Sequence, residues 1–381
     1  MPFINDRLNE IKQQQDLQKM LQEDRSRPIE PINPSGPPES LPAVDDGADL
    51  EAIRRRLRHR IVGQNQAIEA VVRSVAIGQA GLNDRDRPLA NILLLGPTGV
   101  GKTELVRQVA GILRSDPDDL SRIDMSSLSQ EHYMASLTGA PPGYAGAKES
   151  FSLFDRSKIS GDPYTPGIAL FDEVEKAHRS VHRAMLHVLD NGLLKLANGQ
   201  ETINFRNSYV FMTSNLGSAE LLARSRSRVR GILDKTARGI GVAESTVYRR
   251  FSLANEGMVV RKALEGFFEP EFINRIDEIV VFNSLTGRDA VGVVRLEISD
   301  LARRCALRGI NLAVDPAVAV FIAGQGFDQT YGARSIKLLV RDQLATPVAR
   351  AALGLRGATG ESVQLLAEVG DGAVAVIPVE S

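Results

Sequence analysis

The spacing of apolar residues changes several times along the chain, and each change marks a segment. Residues 1–23 place Ile4, Leu8, Ile11, Leu17 and Leu21 at near-helical intervals among Gln, Lys and Asp, which predicts a short amphipathic helix. Residues 24–49 lose that pattern. Pro28, Pro31, Pro34, Pro37, Pro38 and Pro42 remove backbone donors from a stretch with little to bury, so a linker is expected there. From 50 to 284, short apolar runs at Ile92–Leu95, Ile168–Phe171, Tyr209–Thr213 and Ile279–Phe282 alternate with helical stretches such as Gln66–Gly78, Thr103–Leu113 and His178–Leu189. Runs apolar on both faces, separated by helices, predict an α/β domain with a parallel sheet covered on both sides. From 285 to 381 the order changes. Helical patterns at Ala290–Arg308 and Ser335–Ala352 precede two strand-like runs, Val363–Glu368 and Ala373–Ile377, which predicts a smaller α+β domain.

Composition narrows the class. In 381 residues, 46 Lys and Arg balance 47 Asp and Glu, so a generally basic nucleic-acid coat is excluded and any charged partner must meet a local patch. The one cysteine, Cys305, excludes a disulfide framework and a multi-cysteine zinc site. No apolar run approaches the length of a membrane span, and the N-terminus carries charges where a signal peptide needs an apolar stretch. A cytoplasmic location without membrane contact is the expectation.

The chemistry begins at Gly96-Pro97-Thr98-Gly99-Val100-Gly101-Lys102-Thr103, which follows a predicted strand and opens a predicted helix. This is the phosphate-loop pattern in its required context. Its backbone N–H groups and the helix N-terminus suit a triphosphate, Lys102 should reach the β- and γ-phosphates, and Thr103 should ligate Mg²⁺. The run Gly167-Ile-Ala-Leu-Phe171 ends in Asp172 and Glu173, two acids at the carboxyl edge of the same sheet. Asp172 can hold the metal through water, and Glu173 can polarise an attacking water. A third strand, ending at Ser214-Asn215, places an amide where it could orient that water. ATP and Mg²⁺ are the expected substrate and cofactor.

Beyond these motifs the chain resembles the AAA+ ATPases, and among them the second ATPase module of the Clp family of unfoldases and disaggregases. The resemblance runs from about Leu50 to the C-terminus. Arg60-Ile61-Val62-Gly63-Gln64 is similar to that family's adenine-packing segment, Phe272-Ile-Asn-Arg275-Ile-Asp-Glu to its arginine-finger motif, and Tyr331-Gly-Ala-Arg334 to its second sensor. Gly139-Ala-Pro-Pro-Gly-Tyr144-Ala-Gly146 is similar to its substrate-gripping pore loop. The resemblance implies a homo-oligomer, a hexameric ring, in which Arg275 reaches the neighbour's γ-phosphate. It also implies that Arg334 touches the nucleotide of its own subunit, and that Tyr144 presses on a protein substrate in an axial pore. A smaller lid domain after the ATPase domain is implied as well.

Some segments depart from the family. Ala145 and Ala147 reduce the apolar surface of the pore loop, Ser157–Pro166 is long and rich in Gly and Pro, and Glu269 stands where relatives often carry Arg. An insert at 223–250 carries Arg224, Arg226, Arg228, Arg230, Lys235 and Arg238. It reads as a solvated loop, although Ile240-Gly241-Val242 within it is similar to the tripeptide by which some relatives dock a Clp peptidase. The leading helix favours binding of an adaptor or assembly, because nothing nearby covers its apolar stripe. The reading favoured here is an ATP-driven unfoldase. Alternatives are a switch acting on one dedicated partner, a subunit feeding a Clp peptidase, and an ATPase that remodels nucleic acid through the Arg-rich insert.

Overall fold

The computed structural model describes residues 50–130, 154–162, 164–195, 202–217, 263–327, 332–355 and 363–379. The predicted leading helix and linker, the loop carrying Tyr144, and the basic insert lie outside the described residues. The chain divides into two compact units, one ending at Ser284 and the other beginning, among the described residues, at Leu285.

The larger unit is built on five strands: β1 (Ala90–Leu95), β2 (Ser121–Asp124), β3 (Gly167–Asp172), β6 (Ser208–Ser214) and β7 (Glu278–Val281). A two-stranded hairpin, β4 (Leu193–Lys195) and β5 (Thr202–Asn204), stands apart from them. The sheet order is β2-β3-β6-β1-β7, and every pairing is parallel. All six residues of β1, all six of β3 and all seven of β6 are buried, as expected for strands covered on both faces. Helices α1 (Leu50–Arg60), α2 (Asn65–Gln79) and α3 (Lys102–Leu113) pack an aliphatic core including Leu57, Val71, Ile92 and Val106 against one face. The opposite face is covered by α4 (Arg156–Ser160), α5 (Arg179–Asn191) and α6 (Pro270–Ile273), with Phe154, Phe171, Phe205, Phe268 and Phe272 in its core. At Gly78 of α2 the backbone lies so close to Tyr209 that a Cβ would stand 2.4 Å from the phenol oxygen, which donates to Val75 C=O.

Parallel pairing sets all five carboxyl ends at one edge of the sheet. The register places Asp124 beside Asp172 and Leu95 beside Ser214, so the loops after β1, β3 and β6 emerge together, where ligands of open α/β sheets bind.

Among the described residues, the smaller unit contains α7 (Gly287–Ala306), β8 (Ile310–Val314), α8 (Pro316–Gly324), α9 (Ala333–Val340), α10 (Thr346–Leu355), β9 (Val363–Gly370) and β10 (Ala373–Pro378). A reciprocal capping box between Thr286 and Asp289 starts α7. β9 pairs parallel with β8 and antiparallel with β10, giving a mixed sheet whose core includes Ile298, Leu312, Ile322, Ile336 and Leu365. The helix predicted over Ser335–Ala352 is interrupted by a π turn at Arg341–Ala345. Pro347 lacks the N–H that a regular ladder would direct at the Gln343 carbonyl, and its ring crowds that carbonyl. Cys305 is buried in this core, and burial pushes its thiol above the usual range, so it reads as a packing residue. Among the described residues, no helix is long and apolar enough to cross a membrane.

Candidate functional site: a phosphate-binding loop and its acids

The loop after β1 owes its shape to glycine. Gly96 has φ +141°, and a Cβ there would lie 2.6 Å from the Phe282 carbonyl oxygen, so neither the torsion nor the space admits a side chain. Gly101, at φ +105°, is the N-cap of α3 and has no side chain to satisfy the first helical N–H groups. Those donors therefore remain for an anion, reinforced by the helix dipole. Lys102 opens α3 and is buried. Its Nζ donates to Gly96 C=O (2.5 Å), Pro97 C=O (3.0 Å) and Asn215 Oδ1 (2.8 Å). The structure thus joins the phosphate loop directly to the residue predicted at the end of β6. Thr103 occupies the next position of α3.

Asp172 and Glu173 end β3 at the same edge. One Asp172 oxygen accepts from the Thr213 hydroxyl. The other accepts from Arg122 Nη2 (2.5 Å) and Nε (3.1 Å). A carboxylate has about four lone-pair positions, so these partners orient Asp172 without exhausting it. Glu173 sits at φ +58°, ψ +52°. A left-handed non-glycine residue costs about 1–2 kcal/mol and persists only where its surroundings hold it. Here the Glu173 N–H donates to Thr213 Oγ1 (2.9 Å), and the Val174 carbonyl accepts from His182 Nε2 (2.7 Å). Glu175 adds a third tie, since its Oε1 accepts the Asn215 N–H (3.1 Å).

The adenine-segment residues precede α2. Ile61 is buried and Val62 half-buried, and Gln64 fixes the segment by exchanging two hydrogen bonds with the Asn283 backbone (2.9 and 3.0 Å).

Arg275 is elsewhere. Its carbonyl accepts from Asn91 Nδ2 (3.1 Å) and Arg87 Nη2 (3.0 Å), and Asn91 is the second residue of β1. At about 3.3 Å per residue, the Arg275 turn lies about 16 Å along β1 from Gly96, at the opposite end of the sheet. Its guanidinium pairs with Asp190 on α5 (2.8 Å) and lines an open cavity of about 380 Å³ with Arg183, His187 and Glu271. Glu269, the other departure near this motif, pairs with Arg183 (3.0 Å). Arg334 is exposed at the second position of α9 in the smaller unit. Tyr144 lies outside the described residues.

Sequence reasoning passed over the supports of these groups. Asn91 is the clearest case. It is fully buried in the run Ala-Asn-Ile-Leu-Leu-Leu, where a lone amide signals a fixed partner, and it bonds the Leu189 and Arg275 carbonyls. Arg122, in the alternating Ser-Arg-Ile-Asp of β2, and Thr213 were equally visible as polar strand residues, but their shared partner Asp172 is distant in sequence.

Residues 87–279 match the model of the AAA domain (Cdc48 subfamily), and residues 285–365 match that of the C-terminal, D2-small domain of ClpB protein. An ATP-dependent protease ATP-binding subunit-like protein of Rhodococcus erythropolis is 52% identical over 87% of this chain and 92% of its own length. The similarly described AmiB of Pseudomonas aeruginosa is 41% identical over 92% of each chain. Chaperone protein ClpB of Aquifex aeolicus is 36% identical over 91% of this chain but only 32% of its own length. With a parallel phosphate-loop sheet and a small mixed-sheet unit to match, the chain belongs to the Clp-type AAA+ ATPases and hydrolyses ATP.

Proposed function

We propose that the protein uses ATP hydrolysis to pull polypeptide through a ring of identical subunits, six in number by its resemblance to the Clp family. The observation that carries the ring is the position of Arg275. A half-buried arginine about 16 Å along β1 from its own phosphate loop, paired among the described residues with Asp190, supports a role at a neighbour's nucleotide. A solvent-accessible ion pair of this kind contributes about 0–1 kcal/mol, so its exchange for a phosphate meets little resistance.

Each residue then has a task. The backbone of Gly96–Gly101 and Lys102 hold the phosphates, while Ile61 and Val62 flank the base. Thr103 and Asp172 offer a hydroxyl and a carboxylate, hard oxygen donors of the kind Mg²⁺ takes when phosphates and water complete its shell. When bound, Mg²⁺ neutralises charge on the β- and γ-oxygens. Glu173 polarises the attacking water, and Asn215 orients it. Tyr144 grips the chain being pulled, and the apolar stripe of residues 1–23 recruits an adaptor or assembly.

Replacing Tyr144 by alanine tests this reading. Unfolding of a stable fluorescent substrate should fall by about tenfold or more, the scale expected when an aromatic anchor is removed, while ATP turnover stays within about twofold. Unfolding at the normal rate would sink the threading model and favour a switch acting on a dedicated partner.

A second reading draws on the description of the Rhodococcus and Pseudomonas relatives as ATP-dependent protease ATP-binding subunit-like proteins. Under it, Ile240-Gly241-Val242 docks a Clp peptidase. A peptidase pull-down should then lose its signal with Gly241→Trp, and capture unaffected by that substitution would remove the idea.

A further inference from the structure

Glu173 and Arg275 serve different active sites in the proposed ring, yet one buried side chain lies between their supports. His182 is on α5, four residues beyond the N-cap His178, and is 9% exposed. Its Nε2 lies 2.7 Å from the Val174 carbonyl. A carbonyl only accepts, so the proton sits on Nε2, and burial pushes the imidazole below its usual range, keeping it neutral. The ring is enclosed by aromatic side chains, with centroids 5.1 Å from Phe268 and 5.6 Å from Phe272. Phe268 and Phe272 stack on one another at 4.9 Å and 16°. The Phe272 carbonyl in turn accepts the N–H of Arg275 (3.2 Å). The contacts are continuous: the strained turn of Glu173, the Val174 carbonyl, His182, Phe272, Arg275.

We propose that His182 is a positioning residue for both halves of the catalytic apparatus, fixing the left-handed turn of Glu173 through the Val174 carbonyl and conveying its position to the finger segment through Phe272. The inference rests on the roles given above to Glu173 and Arg275. A histidine suits the task because one side chain combines a directional donor with a flat face. Phenylalanine keeps the face and loses the donor. Glutamine keeps a donor at similar reach and loses the face. A residue that only filled space would be replaced well by phenylalanine.

The test uses the full chain, assembled in ATP. His182→Phe should lower kcat by about tenfold, the scale of one well-aligned hydrogen bond, with affinity for a fluorescent ATP analogue and the melting temperature unchanged. His182→Gln should recover much of the Glu173-dependent loss. In a Glu173→Gln background, adding His182→Phe should lower the residual rate by less than about threefold, the non-additivity expected of residues acting through one another. Three outcomes would overturn the proposal: an unchanged kcat in His182→Phe, a loss accompanied by a fall in melting temperature and not relieved by Gln, or full additivity with Glu173→Gln. Glu173→Gln and Arg275→Ala are run alone as controls. If they turn over normally the underlying assignment fails, whereas if they are inactive while His182→Phe is normal, this inference alone fails.

Discussion

Arg275→Ala is expected to cut ATP turnover by about 10³-fold or more with nucleotide affinity within about twofold, because an arginine finger stabilises charge that develops only in the transition state. Its backbone is tied at the amino end of β1 by Asn91 and Arg87, so the side chain is supported by a turn that its own phosphate loop does not share. The substitution removes the Asp190 pair, but both partners are only half-buried and a pair so open to water adds little to stability. Loss of turnover would therefore not be explained by unfolding. Arg275→Lys should recover little, since an ammonium lacks the planar fork that meets several phosphoryl oxygens at once. Steady-state hydrolysis and binding of a fluorescent ATP analogue, on samples whose oligomer size is followed by sedimentation, check both. Turnover within threefold of the parent in Arg275→Ala would mean that each subunit completes its own site, and the argument for a ring would go with it.

The sheet was legible because its long strands carry little besides apolar residues. Strands buried on both faces must be apolar throughout, and the runs in β1, β3 and β6 announced themselves on that ground. Elements without that signature went unseen. β2 is four residues of alternating burial, and β4 and β5 have three residues each, too short for periodicity to register. α8 reads Pro-Ala-Val-Ala-Val-Phe-Ile-Ala-Gly, with no polar face to reveal a helical period. The helix predicted through Pro347 became two helices and a π turn.

At the candidate site the division follows sequence distance. Lys102, Thr103, Asp172, Glu173 and Asn215 each sit at a strand end or helix start that local pattern predicts, so their convergence followed from a parallel sheet. Their supports come from afar. Arg122 reaches Asp172 across 50 residues, and Asn91 holds Arg275 across 184. A single sequence carries no mark of such a pairing beyond the oddity of a polar residue in an apolar run. His182 was hidden further, because a histidine on an amphipathic helix is an ordinary core residue until its carbonyl partner is seen.

Glu173→Gln is expected to lower turnover by about 10²–10⁴-fold, the span attributed to general acid–base catalysis, while ATP stays bound and oligomers assembled in ATP persist. An amide has the shape of the carboxylate but cannot draw a proton from water, so the change deletes chemistry and little else. The backbone supports that separation. The left-handed turn at Glu173 is held by main-chain groups, its own N–H to Thr213 and the next carbonyl to His182, and neither bond involves the altered side chain. A collapse of the turn therefore cannot stand in for loss of the base. Single-turnover hydrolysis with radiolabelled ATP, read beside sedimentation in ATP, tests the assignment. Turnover within threefold of the parent would transfer the role of activating water to another acid at this edge. Glu175 is the first to examine, because its Oε1 already holds the Asn215 N–H and its Oε2 is buried without a partner among the described residues.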